Sequence, residues 1–262
     1  MNPCSIMPSW ALVLAVLLPA LAGAAGKDAA KVSAQELLGL IDKRMSFTSD
    51  YKGTVRMREI RKDGVERALE MLVYRRDKTK DLLFVLTQPR SMAGGGYLRV
   101  DMNLWEYNPL VGQWQRSTRR ANIASTITCE SDFDRSRLNE DYTAKDDGVE
   151  SVDGTSYRKL LLTARPGVDI TFPMLRIWVD PDNNIVKRIG YSPSGRVLRT
   201  DIIRSYQRLK DPSSGELVYH YKEVLEFEEE EGTKIVVHYD DVELAPLSPN
   251  IFTKAWLEGR NR

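Results

Sequence analysis

Two cysteines and two histidines among 262 residues leave little material for covalent, redox or metal chemistry. Cys4 lies near the start and Cys129 stands alone in the body of the chain, so no disulfide framework can be written for it. Cys129 reads as a small buried hydrophobe rather than a nucleophile. A charge excess is missing too: 38 basic against 37 acidic side chains give +1, without the basic surplus of a protein held to nucleic acid by phosphate contacts. Neither a G-x-S-x-G elbow nor an H-E-x-x-H helix occurs. His220 and His238 fall on neighbouring expected strands, each beside a tyrosine. A cross-strand metal pair would lack a third ligand at a recognisable spacing, so plain strand residues are the better reading. Gly94-Gly95-Gly96 precedes a strand instead of a helix and reads as a turn or bulge, not a phosphate loop. Asp146-Asp147, Asp240-Asp241 and the run from Glu228 to Glu231 lie in or near turns and read as solvated. On these residues the chain is expected not to be an enzyme and to need neither cofactor nor metal.

Long hydrophobic runs are scarce as well. The first 26 residues carry no charged side chain, and within them Trp10 to Leu21 is an apolar run of signal-peptide length, short for a bilayer span. Ala22-Gly23-Ala24 supplies an A-x-A site, so residues 1–24 are expected to be a leader cleaved after Ala24, with an uncleaved anchor as the alternative. Bacterial lipoproteins place a cysteine after Leu-Ala-Gly; here Leu21-Ala22-Gly23 is followed by Ala24, so no lipid anchor is expected. The expectation is export to the periplasm as a soluble protein.

What is present is mostly β grammar. Ser33-Ala34-Gln35-Glu36 forms a capping box, and Leu37, Leu38, Leu40, Ile41 and Met45 make the stripe of an amphipathic helix that needs a sheet to lie on. From Tyr51 the period changes to two. Strands are expected at 54–60, 65–74, 81–88, 97–101 and 103–107, then at 157–164, 175–179, 185–191, 197–209, 216–228 and 234–244, with turns such as Lys62-Asp63-Gly64 and Ser192-Pro193-Ser194-Gly195 between them. The pattern is a mainly β antiparallel meander of about a dozen strands with a few covering helices. Residues 121–141 break it and read as a short helix or lid-like loop, or equally as a plain connection. No linker cuts the chain, so 25–262 is expected to be one domain. In Leu82-Leu83-Phe84-Val85-Leu86 both strand faces are apolar. That fits either a fully packed barrel core or a cavity suited to an acyl chain.

Specific residues go further than the periodicity. Gly96-Tyr97-Leu98-Arg99-Val100, Asn103-Leu104-Trp105-Glu106-Tyr107-Asn108-Pro109, Arg116, Ser131-Asp132-Phe133 and the closing Ile251-Phe252-Thr253-Lys254-Ala255-Trp256-Leu257 resemble the outer-membrane lipoprotein-sorting proteins of the LolA-like superfamily. The resemblance implies a half-open antiparallel β-barrel of about eleven strands whose apolar cavity shelters acyl chains of lipoproteins or another lipid during aqueous transit. It implies a monomer served by an inner-membrane donor and an outer-membrane acceptor protein. Within that picture the residues expected to touch lipid are Trp105 and Tyr107, which share a strand face, and Ile123, Ile127 and Phe133 of the candidate lid. Ordinary core packing is the alternative for each. Relatives carry a glycine- and methionine-rich stretch where this chain has Ala121 to Glu130, which leaves lid behaviour and cargo preference open. A second reading keeps the fold but makes the protein a sensory or regulatory module of the envelope.

Overall fold

The computed structural model describes residues 32–118 and 122–260; the expected leader lies outside the described residues. Ser33 caps the first helix, α1 (Ala34–Met45), by accepting the Glu36 N–H while the Glu36 carboxylate accepts the Ser33 N–H. Leu37, Leu38 and Ile41 are buried, whereas Leu40 of the expected stripe is 46% exposed.

One antiparallel sheet of thirteen strands follows: β1 (Tyr51–Ile60), β2 (Glu66–Arg76), β3 (Asp81–Gln88), β4 (Gly96–Val100), β5 (Asn103–Asn108), β6 (Gln113–Ser117), β7 (Tyr142–Val152), β8 (Thr155–Ala164), β9 (Met174–Val179), β10 (Ile185–Tyr191), β11 (Val197–Lys210), β12 (Leu217–Glu228) and β13 (Thr233–Leu244). Two strands were not anticipated. β6 and β7 are the free edges of the sheet, and both are polar, with β7 exposed at most positions. Such edges resist pairing with other chains and carry no apolar alternation to read.

The spatial order is β6-β5-β4-β3-β2-β1-β13-β12-β11-β10-β9-β8-β7. Two meanders, β1–β6 and β7–β13, are therefore joined at the centre by the pairing of β1 with β13, from Tyr51 opposite Leu244 to Ile60 opposite Lys234. The chain between β6 and β7 must run from one edge of the sheet to the other. Laid flat, the sheet would be about 60 Å wide at ~4.8 Å per strand. The connection contains 3-10 turns at Ile123–Ser125 and Glu130–Phe133 and the short helix α2 (Leu138–Asp141), so it covers less than a fully extended chain. The sheet curls, its edges stay open, and the connection crosses its concave face. This is the half-open barrel the sequence implies, with thirteen strands in place of about eleven.

The two faces have separate cores. The concave core joins α1, the crossing residues Ile123, Ala124 and Phe133, and inward strand residues such as Val55, Met71, Phe84, Leu160 and Ile177. On the opposite face a smaller core of Tyr74, Leu83, Val85, Leu98 and Tyr107 is covered by the C-terminal segment, a 3-10 turn at Pro249–Phe252 and α3 (Lys254–Gly259). Gly96 is required where α3 lies on the β3–β4 pair: a Cβ there would lie 2.1 Å from the Phe84 carbonyl oxygen and 3.1 Å from Leu257 Cδ2.

Candidate functional site

The crossing segment is held by a succession of polar anchors from β2, β4, β11, β12 and α1. The Tyr97 hydroxyl accepts the Ala124 N–H at 2.9 Å and donates to Glu106. Arg67 reaches the Ser125 carbonyl at 2.9 Å, and Thr128 donates to Glu226 at 3.1 Å. Glu130 is fully buried against Arg99, which is itself 1% exposed and also pairs with Asp134 at 2.9 Å. Arg199 pairs with Asp132 through Nη1 at 2.9 Å and with Asp201 through Nε at 3.1 Å, and Arg188 also bonds Asp201. Arg75 donates to the Phe133 carbonyl at 2.7 Å. Asp42 of α1 then accepts from the Ser136 hydroxyl at 2.6 Å and from the Leu138 and Asn139 N–H groups at 3.0 and 2.7 Å.

These contacts set the local electrostatics. Burial works against the Asp132 charge, but the Arg199 guanidinium outweighs it and holds the carboxyl below its ordinary range. Burial pushes Glu226 up to about 7, with Arg199 opposing. Asp42 is also raised by burial. Cys129, at the start of the second 3-10 turn, is buried, and its thiol is pushed up to about 11 by that burial, so it stays protonated and inert.

Beyond the anchored stretch the concave face is not filled. A cavity of about 460 Å³ lies between residues 131–142, the β8–β9 loop and the inner faces of β9, β10 and β12. Buried Tyr142, Leu175, Ile177 and Ile185 line it, with the half-buried Met45, Leu138, Ile170 and Phe172. Lys80, Met102, Gly167 and Asp169 are its exposed lining residues, and Arg135, Arg137 and Asp141 add charges already paired among themselves and with Glu140. The position of Phe172 depends on Gly190: a Cβ there would lie 2.4 Å from the ring. A smaller void of about 40 Å³ shares Met45, Asp132, Asp134, Ser136 and Tyr221 with the large one and is bounded by Phe133, His220 and Tyr239. Asp132, Asp134 and Arg188, each ion-paired, line it too, so the cavity has an apolar side and a charged one, suited to an amphiphile.

The five residues expected to touch lipid are not gathered there. Trp105 and Tyr107 do share a face, but it is the outer one. Tyr107 packs against Trp114 with ring centroids 5.0 Å apart and the planes tilted by 34°, and the Lys254 ammonium of α3 sits 3.5 Å from the Trp105 ring centroid. In β5 it is Leu104 that points to the concave core, and the period of two sends its neighbours outward. Ile123 is fully buried and Ile127 packs against the concave core. Phe133 alone borders a cavity, the smaller one. His220 and His238 do not meet: His238 lies opposite Glu223, and His220 lies opposite Gln207, buried between Tyr51 and Tyr239 at 5.2 Å from each ring. No cluster of three potential metal ligands occurs among the described residues. Three of the four paired acids are ion-paired rather than simply solvated, Asp146 with Arg158, Asp147 with Arg176, and Asp240 with Arg56 and Lys222, while Asp241 is exposed.

Sequence reasoning missed the buried ionic set and the floor of the cavity. A signal existed for Arg99, an arginine inside the otherwise apolar Gly96–Val100 strand, but its partner lies 31 residues away. Ile170 and Phe172 sit in a loop whose sequence shows only turn chemistry.

The architecture defines a LolA-like protein. A family model described as "Uncharacterized protein" matches residues 78–259, and the chain belongs to that family. A LolA superfamily protein from Nitrosomonas europaea is similar over 86% of this chain and 99% of its own, at 25% identity and a TM-score of 0.71. A DUF1329 family protein from Desulfovibrio piger (19% identity, TM-score 0.72) and an outer membrane lipoprotein-sorting protein domain from Vibrio parahaemolyticus (16%, 0.72) each match 86% of this chain and 97% and 98% of theirs, sharing the fold. No curated protein matches the sequence.

Proposed function

We propose that the protein is a carrier of the bacterial periplasm that shelters an acyl chain, of a lipoprotein or of another lipid, and catalyses no reaction. The observation that carries this reading is the 460 Å³ cavity with its buried aliphatic and aromatic floor and charged side, on a fold shared with LolA-like proteins. Each methylene moved from water into such a site gains about 0.8 kcal/mol. The volume falls in the range of about 300–1,000 Å³ that holds one small ligand, so a single chain fits as the cavity stands. A cargo with several chains needs the space filled by Ile123 and Phe133, and would be admitted by displacement of the crossing segment. The same residues refill the concave face on release, which keeps unloading from leaving an empty apolar groove. Cargo is received from a donor and passed to an acceptor, and the carrier works as a monomer.

Titration with a fluorescent long-chain fatty acid tests the reading. Saturable binding at one chain per protein is expected, and Ile170→Trp, which places an indole in the cavity, should weaken it at least about tenfold while the far-ultraviolet circular dichroism stays unchanged. Absence of saturable binding, or binding indifferent to that substitution, would contradict it.

A further inference from the structure

The β5–β6 hairpin ends in the most exposed apolar pair among the described residues. Leu110 is 81% and Val111 62% exposed. The other exposed aliphatics, such as Val65, Leu217, Leu40 in α1 and Val149 and Val152 in β7, are less exposed and none adjoins another in sequence, which is ordinary for a protein surface. The tip is a built turn, not a frayed one: the Asn108 side chain accepts the Leu110 N–H at 3.0 Å, and Gly112 takes a φ of +64°.

Behind the tip stands an aromatic group. Trp105 and Trp114 are half-buried on the outer face of the hairpin, with Trp256 of α3 further off, edge-on to Tyr74 of β2 at 5.4 Å, and Trp114 is fixed by its indole N–H, which donates to Glu258 at 2.7 Å. Basic side chains are interleaved with the rings. Lys254 covers Trp105 at 3.5 Å and lies 5.2 Å from Trp114, and the Arg260 guanidinium lies 4.9 Å from the Trp256 ring. Arg116 projects from the same strand face as Trp114 and is exposed. Against these three cations the face offers the Glu258 carboxylate, already engaged by Trp114.

An apolar tip, indoles just behind it and cations beside them are the order of groups met on passing from the hydrocarbon boundary of a bilayer through its interface to anionic headgroups. We propose that this face docks the protein on an anionic phospholipid surface, with Leu110 and Val111 entering the interface and Lys254, Arg116 and Arg260 meeting the headgroups. The surface lies opposite the concave face that holds the cavity, so the inference goes beyond the carrier reading and does not rest on it.

Flotation with vesicles made of phosphatidylglycerol and phosphatidylethanolamine, against vesicles of phosphatidylcholine alone, tests the docking. The full chain should float with the anionic vesicles, lose that binding as salt is raised, and show a blue shift of tryptophan emission. Leu110→Asp combined with Val111→Asp, both at solvent-exposed positions that the fold does not use, should reduce partitioning about tenfold. Lys254→Glu with Arg260→Glu should reduce it on anionic vesicles. A protein that stays at the bottom of the gradient with every vesicle overturns the proposal, as does an aspartate variant that floats like its parent, whose lipid contact would then lie elsewhere on the molecule. Uptake of the fluorescent fatty acid should be unaltered in the Leu110 and Val111 variants. Loss of docking and loss of carrier function are thereby read separately.

Discussion

Arg99 and Glu130 are both closed off from solvent and paired, so removing either leaves a buried charge short of a partner. Arg99→Ala leaves Glu130 and Asp134 without their guanidinium, and a loss of about 3–5 kcal/mol in urea unfolding is expected. Replacing Arg99 and Glu130 together by apolar residues should cost less than Arg99→Ala alone, and equal costs would contradict the pairing. Two other buried groups make opposed contributions with pH. Burial, with help from Arg75, holds the His220 imidazole down at about 4 against an ordinary 6.5. Between those values the unfolded chain binds a proton that the folded one does not, so this contribution grows as pH rises. Burial holds Glu226 up at about 7 against an ordinary 4.5. Between those values the folded chain keeps a proton that the unfolded one releases, and this contribution falls as pH rises. The slopes cancel between about pH 4.5 and 6.5. Relative to the parent, His220→Phe should therefore lose stability as pH rises through that window, and Glu226→Gln should gain it. Unfolding curves at pH 4.5, 5.5 and 6.5 check both signs, and parallel curves for all three proteins would refute the assignment.

At the scale of elements, the crossing segment walls the cavity on one side, and the carrier proposal makes it the part that moves. Its last residues are tied to α1 by Asp42, which bonds residues 136, 138 and 139 at once, and by Gln35, which donates to the Asn139 side chain at 2.7 Å. Asp42→Ala should cost about 2 kcal/mol. It should also raise amide hydrogen exchange selectively across residues 136–141 and speed the entry of fatty acid. Unchanged exchange there, with a general loss of protection elsewhere, would mean that the crossing is not the moving part. The sequence made α1 legible through its capping box and most of the strands through their alternation. β6 and β7 were not legible, because a solvent-facing edge strand such as Tyr142–Val152 has no apolar face to announce it. The crossing was legible only as an interruption: its anchors are arginines on β2, β4 and β11, and nothing local to 122–141 names them. Trp105 and Tyr107 illustrate the same limit. Their common face followed from the period of two, but which face of the sheet is concave is fixed by the path of the crossing and by the docking of α3.

For the molecule as a whole, the central pairing of β1 with β13 joins strands from opposite ends of the described chain, so neither meander presents a finished concave face until that pairing forms. The cavity lies between the crossing segment, α1 and the second meander, with only Lys80 and Met102 from the first, while the aromatic docking face belongs to the first meander and to α3. Substitutions that silence one should spare the other. Ile170→Trp should leave vesicle flotation intact, just as the Leu110 and Val111 variants should still take up fatty acid, and joint loss in either variant would contradict that separation. The carrier claim itself is tested most directly by native mass spectrometry of the protein purified from the envelope of its own cells, followed by lipid extraction. A carrier should retain an acyl-bearing species at one copy per chain, absent from Ile170→Trp prepared in parallel. A parent protein that emerges empty, and that also refuses added fatty acid, would contradict it.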